Sequence, residues 1–548
     1  MVLSFVRELL ADVEHTPSFQ RAAAILKGAS VDPPGGKAGA GRLRLSGLTA
    51  TAKALHLALL HRSTGKPLLI LAADNRAAED LTRQVQAFCE LAGVASPDSV
   101  MCLPSVDVLP YENLSPHAEI QEKRASGLVR VANGTARIVI TPAVAAAMRL
   151  RQPDFYAALE RTVRKGDALD VDDMVRHLNA AGYTRTDVVE MAGEYAVRGG
   201  ILDVYSPEQD FPVRLEVFGD EVESIRRFDT GTQRSLAAVD DVELLPLTET
   251  PVDEAVLAGI HARLSGLRVA GPEEIIERAI TEAGVTAFPG WELYAPLAFQ
   301  GEPRVLFDLL PQALVAVDEP ALCTRELNDW WERLEQAHER SGVGSLARPG
   351  ELFFHPELLK ARLAGLPGLD LEQLPLAASV GESIHFASQT TPRFHNSVPA
   401  IVEEVRRITQ EGGRALVCAG NTGEVERLAD IFTEYGVIFR LGTRAARPGD
   451  SYMEETSYLS GDLAGATIAK ACIPNGVALP GSGLVIFGSC DLFDESEPVA
   501  VAGSRSKSRA AAFMSDFRDL QAGDFVVHVE HGIGRYSGLK EIPQGDSI

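Results

Sequence analysis

Gly193 to Asp229 reads GEYAVRGGILDVYSPEQDFPVRLEVFGDEVESIRRFD, and it marks a change of architecture within the chain. Gly199 to Tyr205 forms a short strand pattern closed by Ser206-Pro207. Val213 to Phe218 alternates and stops at Gly219-Asp220, a pair suited to a hairpin turn. Successive strand residues point to opposite faces, so Val213, Leu215 and Val217 share one face and Arg214, Glu216 and Phe218 the other. An Arg beside a Phe on a polar strand face suits protein docking, because both residue types dominate interface hot spots. The same pattern also fits a half-buried strand whose Phe covers a neighbouring loop.

Upstream the rhythm differs. Pro67 to Ala73 (PLLILAA) is a near-continuous apolar run, and Leu81, Val85, Phe88 and Leu91 then recur at helical spacing. Val100–Leu103, a helix from His117, Arg137–Thr141 and a helix opened by Pro142 continue the alternation. Strands buried on both faces and separated by helices predict a parallel α/β sheet. The expected layout is an α/β domain over 1–158, an inserted α+β domain over 159–246, and the rest of the α/β domain over 247–345, with helices near Asp253–Leu264 and Pro272–Glu282. A Gly- and Pro-rich connector at 346–381 leads to a second, small α/β domain at 382–493. A linker at 494–515 precedes a β module at 516–548. The linker's Ser504, Ser506 and Ser508 alternate with basic residues, a pattern more typical of a solvated linker than of a nucleic-acid contact. The strands from Gly523 end at Ile548 before a barrel can close, so a longer protein is expected.

Composition narrows the function. A chain of 548 residues with 45% hydrophobic and 23% charged content is an ordinary globular protein of several domains. Its formal net charge of −24 argues against a surface dominated by nonspecific nucleic-acid binding. The six cysteines are scattered without a CxxC pair, as in a reduced, cytoplasmic protein. No apolar run reaches the roughly 18 residues of a membrane span, and no membrane partner is expected.

The sharpest enzymatic possibility is a nucleotide site. Gly47-Leu-Thr-Ala-Thr-Ala52-Lys53-Ala54 follows a strand and opens a helix, as a phosphate loop does. The pattern GxxxxGK[ST] needs a second glycine for backbone approach and a hydroxyl for magnesium. Ala52 and Ala54 stand at those two positions. Lys53 remains, and Leu314–Val317 followed by Asp318-Glu319 resembles the acidic half of such a site. A scaffold without competent ATP hydrolysis is expected. Catalytic residues and metal ligands are expected to be absent: neither GxSxG nor HExxH occurs, and His528 and His531 lack a completing cluster. Asp491, Asp494 and Glu495 border the linker and are read as solvated.

Four stretches together resemble a known family: LPYENLSPH (109–117), GEYAVRGGILDVYSP, VRLEVFGDEVESIRRFD and GDFVVHVEHGIGRYSGL. They are similar, in order, to the N-terminal half of bacterial transcription-repair coupling factors. The resemblance implies a degenerate helicase-like module akin to excinuclease B, whose insert recruits excinuclease A to stalled RNA polymerase. It implies that 516–548 begins an SH3-like RNA-polymerase-interacting domain. The ATP- and magnesium-dependent DNA translocase motor of the family, through which DNA is engaged, would lie outside this sequence, leaving no cofactor here. The residues implied to bind excinuclease A are Arg198, Arg214 and Phe218. The alternative is an active DNA-dependent ATPase of the excinuclease B type. It would need an intact phosphate loop and an aromatic-rich DNA-clamping hairpin, whereas the run after Tyr111 passes through Pro116 into a helix over Glu119–Val131.

Overall fold

Leu68–Ala72 and Ile138–Pro142 are buried at every position, the condition of central strands covered by helices on both faces. The computed structural model describes residues 2, 4–28, 42–94, 99–112, 114–252, 254–265, 288–341, 347–374, 382–442, 465–493, 525–528 and 532–535. They fall into two compact units, one around residues 1–116, 120–161 and 248–504, the other around 162–247.

The first unit holds a seven-stranded parallel sheet. Its order is Ser383–His385, Leu43–Ser46, Gly368–Glu372, Leu314–Asp318, Leu68–Ala72, Ile138–Pro142 and Val100–Cys102. The helices between strands carry local start and stop signals. Asp74 caps the Asn75–Ala92 helix by accepting from Ala77 N at 2.8 Å, and Gly93 ends it at φ +62°. A second sheet runs Gln389–Thr390, Val477–Leu479, Leu484–Phe487, Arg414–Ala419, Ala466–Lys470 and Phe439–Leu441, with its last four strands parallel. The helices Ser4–Glu14 and Pro17–Gly28 contribute Val6, Leu10, Phe19 and Leu26 to one continuous core. That core reaches Leu45 and Ile70 of the first sheet and Leu416, Cys418 and Ile486 of the second.

The second unit is antiparallel over most of its six strands: Ser235–Val239, Glu221–Phe228, Val213–Phe218, Ile201–Val204, Glu194–Arg198 and Thr184–Arg185. Met174 and Leu178 of the Val171–Ala180 helix join Leu202, Val204, Val213 and Leu215 in its core. The module begins and ends on paired strands, Arg161–Arg164 and Asp241–Leu244, with Lys165 N donating to Asp240 O at 2.9 Å. Residues Phe525–His528 and Gly532–Arg535 pair as an antiparallel hairpin. These strands fall within 516–548, where the start of a barrel is expected.

Four expectations are corrected. The stretch read as a connector carries the Pro356–Ala364 helix and the Gly368–Glu372 strand, an interior member of the first sheet. Gly368 reads as a loop residue but is required by packing, since a Cβ there would sit 1.9 Å from Val315 O. Ser383–His385 pairs with the first sheet rather than opening the small domain. Pro142 ends a strand and is followed by a 3-10 turn at Ala145–Ala147, not a helix. Asp491 is buried, not solvated: it accepts from Thr391 Oγ1 (2.8 Å), Gly476 N (2.7 Å) and Gly488 N (2.9 Å). The helix expected at Pro272–Glu282, the linker, Asp494, Glu495 and His531 lie outside the described residues. Among those described, no helix is long and apolar enough to cross a membrane and no cluster has the makings of a metal site.

Candidate interaction face and phosphate loop

The hairpin between Glu194–Arg198 and Ile201–Val204 turns on Gly199-Gly200. Gly199 has φ +59°, and a Cβ on Gly200 would lie 2.5 Å from Val217 O. Two glycines are therefore needed to bring these strands beside Val213–Phe218. The ladder sets Arg198 opposite Ile201, Ile201 opposite Glu216, and Asp203 opposite Arg214. Directly opposed residues share a face. Arg198, Ile201, Asp203, Arg214, Glu216 and Phe218 thus share the face away from the Leu202–Leu215 core, as the alternation predicts for Arg214, Glu216 and Phe218.

These side chains are not equally available. Phe218 is 80% exposed at the end of its strand and lines an open depression of about 730 Å³ with Arg164, Lys165, Glu221 and Asp240. Arg198 is exposed and donates to the Asp187 carbonyl. Arg214 is engaged within the module. Its Nε and Nη2 reach the two carboxylate oxygens of Asp203 at 2.7 and 2.8 Å, and its guanidinium lies 4.8 Å from the centre of the Phe228 ring. Its side chain is 19% exposed and that of Asp203 only 2%. The hydrogen bonds to Asp203 raise the Arg214 pKa, against a smaller opposing effect of burial, so the guanidinium stays charged. Glu216 accepts from Ser224 Oγ at 2.6 Å, with Arg226 Nη2 at 3.8 Å. Pattern reading missed Ile201, which is 37% exposed, and Asp203, which fixes Arg214. Hairpin register was the signal that places both on this face.

At the other candidate site, Gly47 (φ +79°) links the Leu43–Ser46 strand to the Ala50–Thr64 helix, which Thr49 caps. Ala52 and Ala54 are fully buried. Lys53 is 4% exposed, and its Nζ lies 2.5 Å from Asp318 Oδ1 and 2.6 Å from Glu319 Oε1. The sequence-predicted lysine and acidic pair are therefore brought together, and both carboxylates are spent on the lysine. Burial raises the Asp318 pKa, Lys53 opposes that rise, and Glu319 adds to it. The loop amides are also taken: Leu48 N donates to Glu372 O (3.4 Å), Thr49 N to Ser388 Oγ (2.8 Å), and Ala52 N to Thr49 Oγ1 (3.4 Å).

Comparison with known proteins finds two matching domain models and a set of similar chains. The model of the UvrB interaction domain matches residues 162–249, and that of the CarD-like/TRCF RID domain matches residues 520–547. Similar curated proteins include the transcription-repair-coupling factors of Myxococcus xanthus (29% identical, over 91% of this chain and 43% of the relative) and Escherichia coli strain K12 (26%, over 92% and 43%). That of Bacillus subtilis strain 168 is 24% identical over 91% of this chain and 42% of the relative. The chain thus spans about two-fifths of the length of these relatives. With two matched domain types, the chain is similar along nine-tenths of its length to transcription-repair-coupling factors.

Proposed function

We propose that this chain is a non-catalytic recruitment portion of a transcription-repair coupling factor, in which the face carrying Arg198 and Phe218 binds excinuclease A. The observation that carries the reading is Phe218, which stands 80% exposed on a well-packed antiparallel sheet within the region matched by the UvrB interaction domain. A large exposed aromatic beside an arginine is the composition of an interface anchor. Arg214 contributes by bracing the strand that presents Phe218. RNA polymerase is the second partner, through the region matched at 520–547. DNA translocation and ATP turnover belong to the longer family protein.

The rival reading, an ATPase of the excinuclease B type, is disfavoured by Ala52, Ala54 and the closed Lys53–Asp318–Glu319 cluster. The phosphate loop is accordingly assigned no nucleotide and no magnesium. The deciding experiment is an equilibrium titration of the chain with purified excinuclease A. Phe218→Ala should weaken binding by about 2 kcal/mol, the size of an interface anchor, while leaving thermal stability unchanged. Wild-type affinity in that variant would refute the assignment. Magnesium-dependent ATP binding abolished by Lys53→Ala would favour the rival.

A further inference from the structure

Residues 382–493 have no role in the reading above, yet part of that region sits on the phosphate loop. Ser388 Oγ accepts from Thr49 N at 2.8 Å and donates to Gly47 O at 2.8 Å, so one hydroxyl bonds both a donor and an acceptor of the loop. Ser388 N adds a bond to Gly47 O at 3.2 Å, and Phe386 N donates to Ser46 O at 2.8 Å. The approach is close: a Cβ at Gly47 would lie 2.0 Å from Phe386 O, so the bare backbone that lets such a loop meet a phosphate here meets Phe386. The Phe386 ring packs edge-on against His56 of the following helix, with centroids 4.6 Å apart. Thr51 Oγ1 also donates to Asn475 O at 2.7 Å. Gln389-Thr390, the next residues, are already a strand of the second sheet.

We propose that the Phe386–Ser388 segment is the resident ligand of the Gly47–Ala52 loop, which has become an intrachain clasp fastening the second sheet to the first. Ser388 stands where an anion's oxygen would accept from the loop, and Lys53 is neutralised by Asp318 and Glu319 rather than by phosphate. On this reading two features oppose nucleotide binding, altered motif residues and an occupied site. The clasp gives residues 386–390 and Asn475 a role: they tie the second sheet to the first.

The test is site-resolved amide exchange on the full chain. Ser388→Ala should speed exchange at Thr49 about fivefold, the factor that loss of one ordinary hydrogen bond supplies, with a smaller rise across 386–390. Thr51→Val, which removes the hydroxyl bonded to Asn475, should speed exchange in the same loop and serves if the first variant folds poorly. Unchanged exchange at Thr49 in both variants overturns the proposal. So does slowing of exchange at Thr49 and Lys53 when magnesium and ATP are added to the unaltered chain.

Discussion

Arg214→Ala separates a brace from a contact. In the folded module Asp203 is 2% exposed at its side chain, and both its oxygens are held by one guanidinium at 2.7 and 2.8 Å. Removing the arginine strands a buried carboxylate, and breaking a buried pair this way costs about 3–5 kcal/mol. Arg214 keeps 19% of its side chain in water, so solvent reaches the vacated space and the lower end, about 3 kcal/mol, is expected. That figure includes the lost stacking over Phe228, about 0.5–1 kcal/mol. The partner change Asp203→Asn removes the charge that Arg214 serves. In that background Arg214→Ala should cost only about 1 kcal/mol, a coupling of about 2 kcal/mol between the two sites. Amide exchange resolved at Leu202, Val204, Val213 and Leu215 confines the readout to this strand pair, where denaturation of a two-unit chain would mix transitions. If the two single costs add to within about 0.5 kcal/mol in the double variant, the brace is wrong. Arg214 would then be free to act as a direct contact, the role proposed for Phe218.

Further outcomes follow from burial. His56 is fully buried, its neutral ring donating from Nδ1 to Ala52 O at 2.7 Å, and burial lowers its pKa from 6.5 to about 4. The unfolded chain therefore binds this proton first as pH falls. The stability involved is whole above about pH 6.5 and is lost as pH drops towards about 4, up to roughly 3 kcal/mol in all. A His56→Leu chain that keeps the same slope of stability against pH in that window would contradict this. Among the six cysteines only Cys472 is exposed, whereas burial pushes the Cys89 thiol up to about 12 and that of Cys102 up to about 11. Brief alkylation at pH 8 followed by peptide mass spectrometry should find the label on Cys472, and fast labelling of Cys89 would show the core to be open.

Much of the fold was legible because burial on both faces writes a continuous apolar run, as in Leu68–Ala72, and because caps such as Asp74 and Gly93 are local. The Gly368–Glu372 strand was not. Its opening glycine answers the approach of the Val315 carbonyl from a distant strand, and nothing near it in sequence reports that. Alternation placed Arg214 and Phe218 on one face, yet it could not rank them. Asp203 lies eleven residues before Arg214, in a strand whose apolar neighbours drew attention, and only the ladder makes it the arginine's partner. Lys53 and Asp318-Glu319 were each visible as halves of one site. What no motif could show was that Ser388, Glu372 and Asn475 had taken the loop's remaining bonds.

The paired strands Arg161–Arg164 and Asp241–Leu244 have a consequence for how this module travels. Its entry and exit leave side by side, about 4.8 Å apart as neighbouring strands do. A segment whose cut ends are neighbours can be spliced into a host loop, or taken out, without stretching the flanking backbone. Deleting residues 162–247 and joining Arg161 to Thr248 through a few glycines amounts to shortening one loop. The excised piece, with its own core around Leu202 and Leu215, is a ready cassette for grafting onto an unrelated carrier.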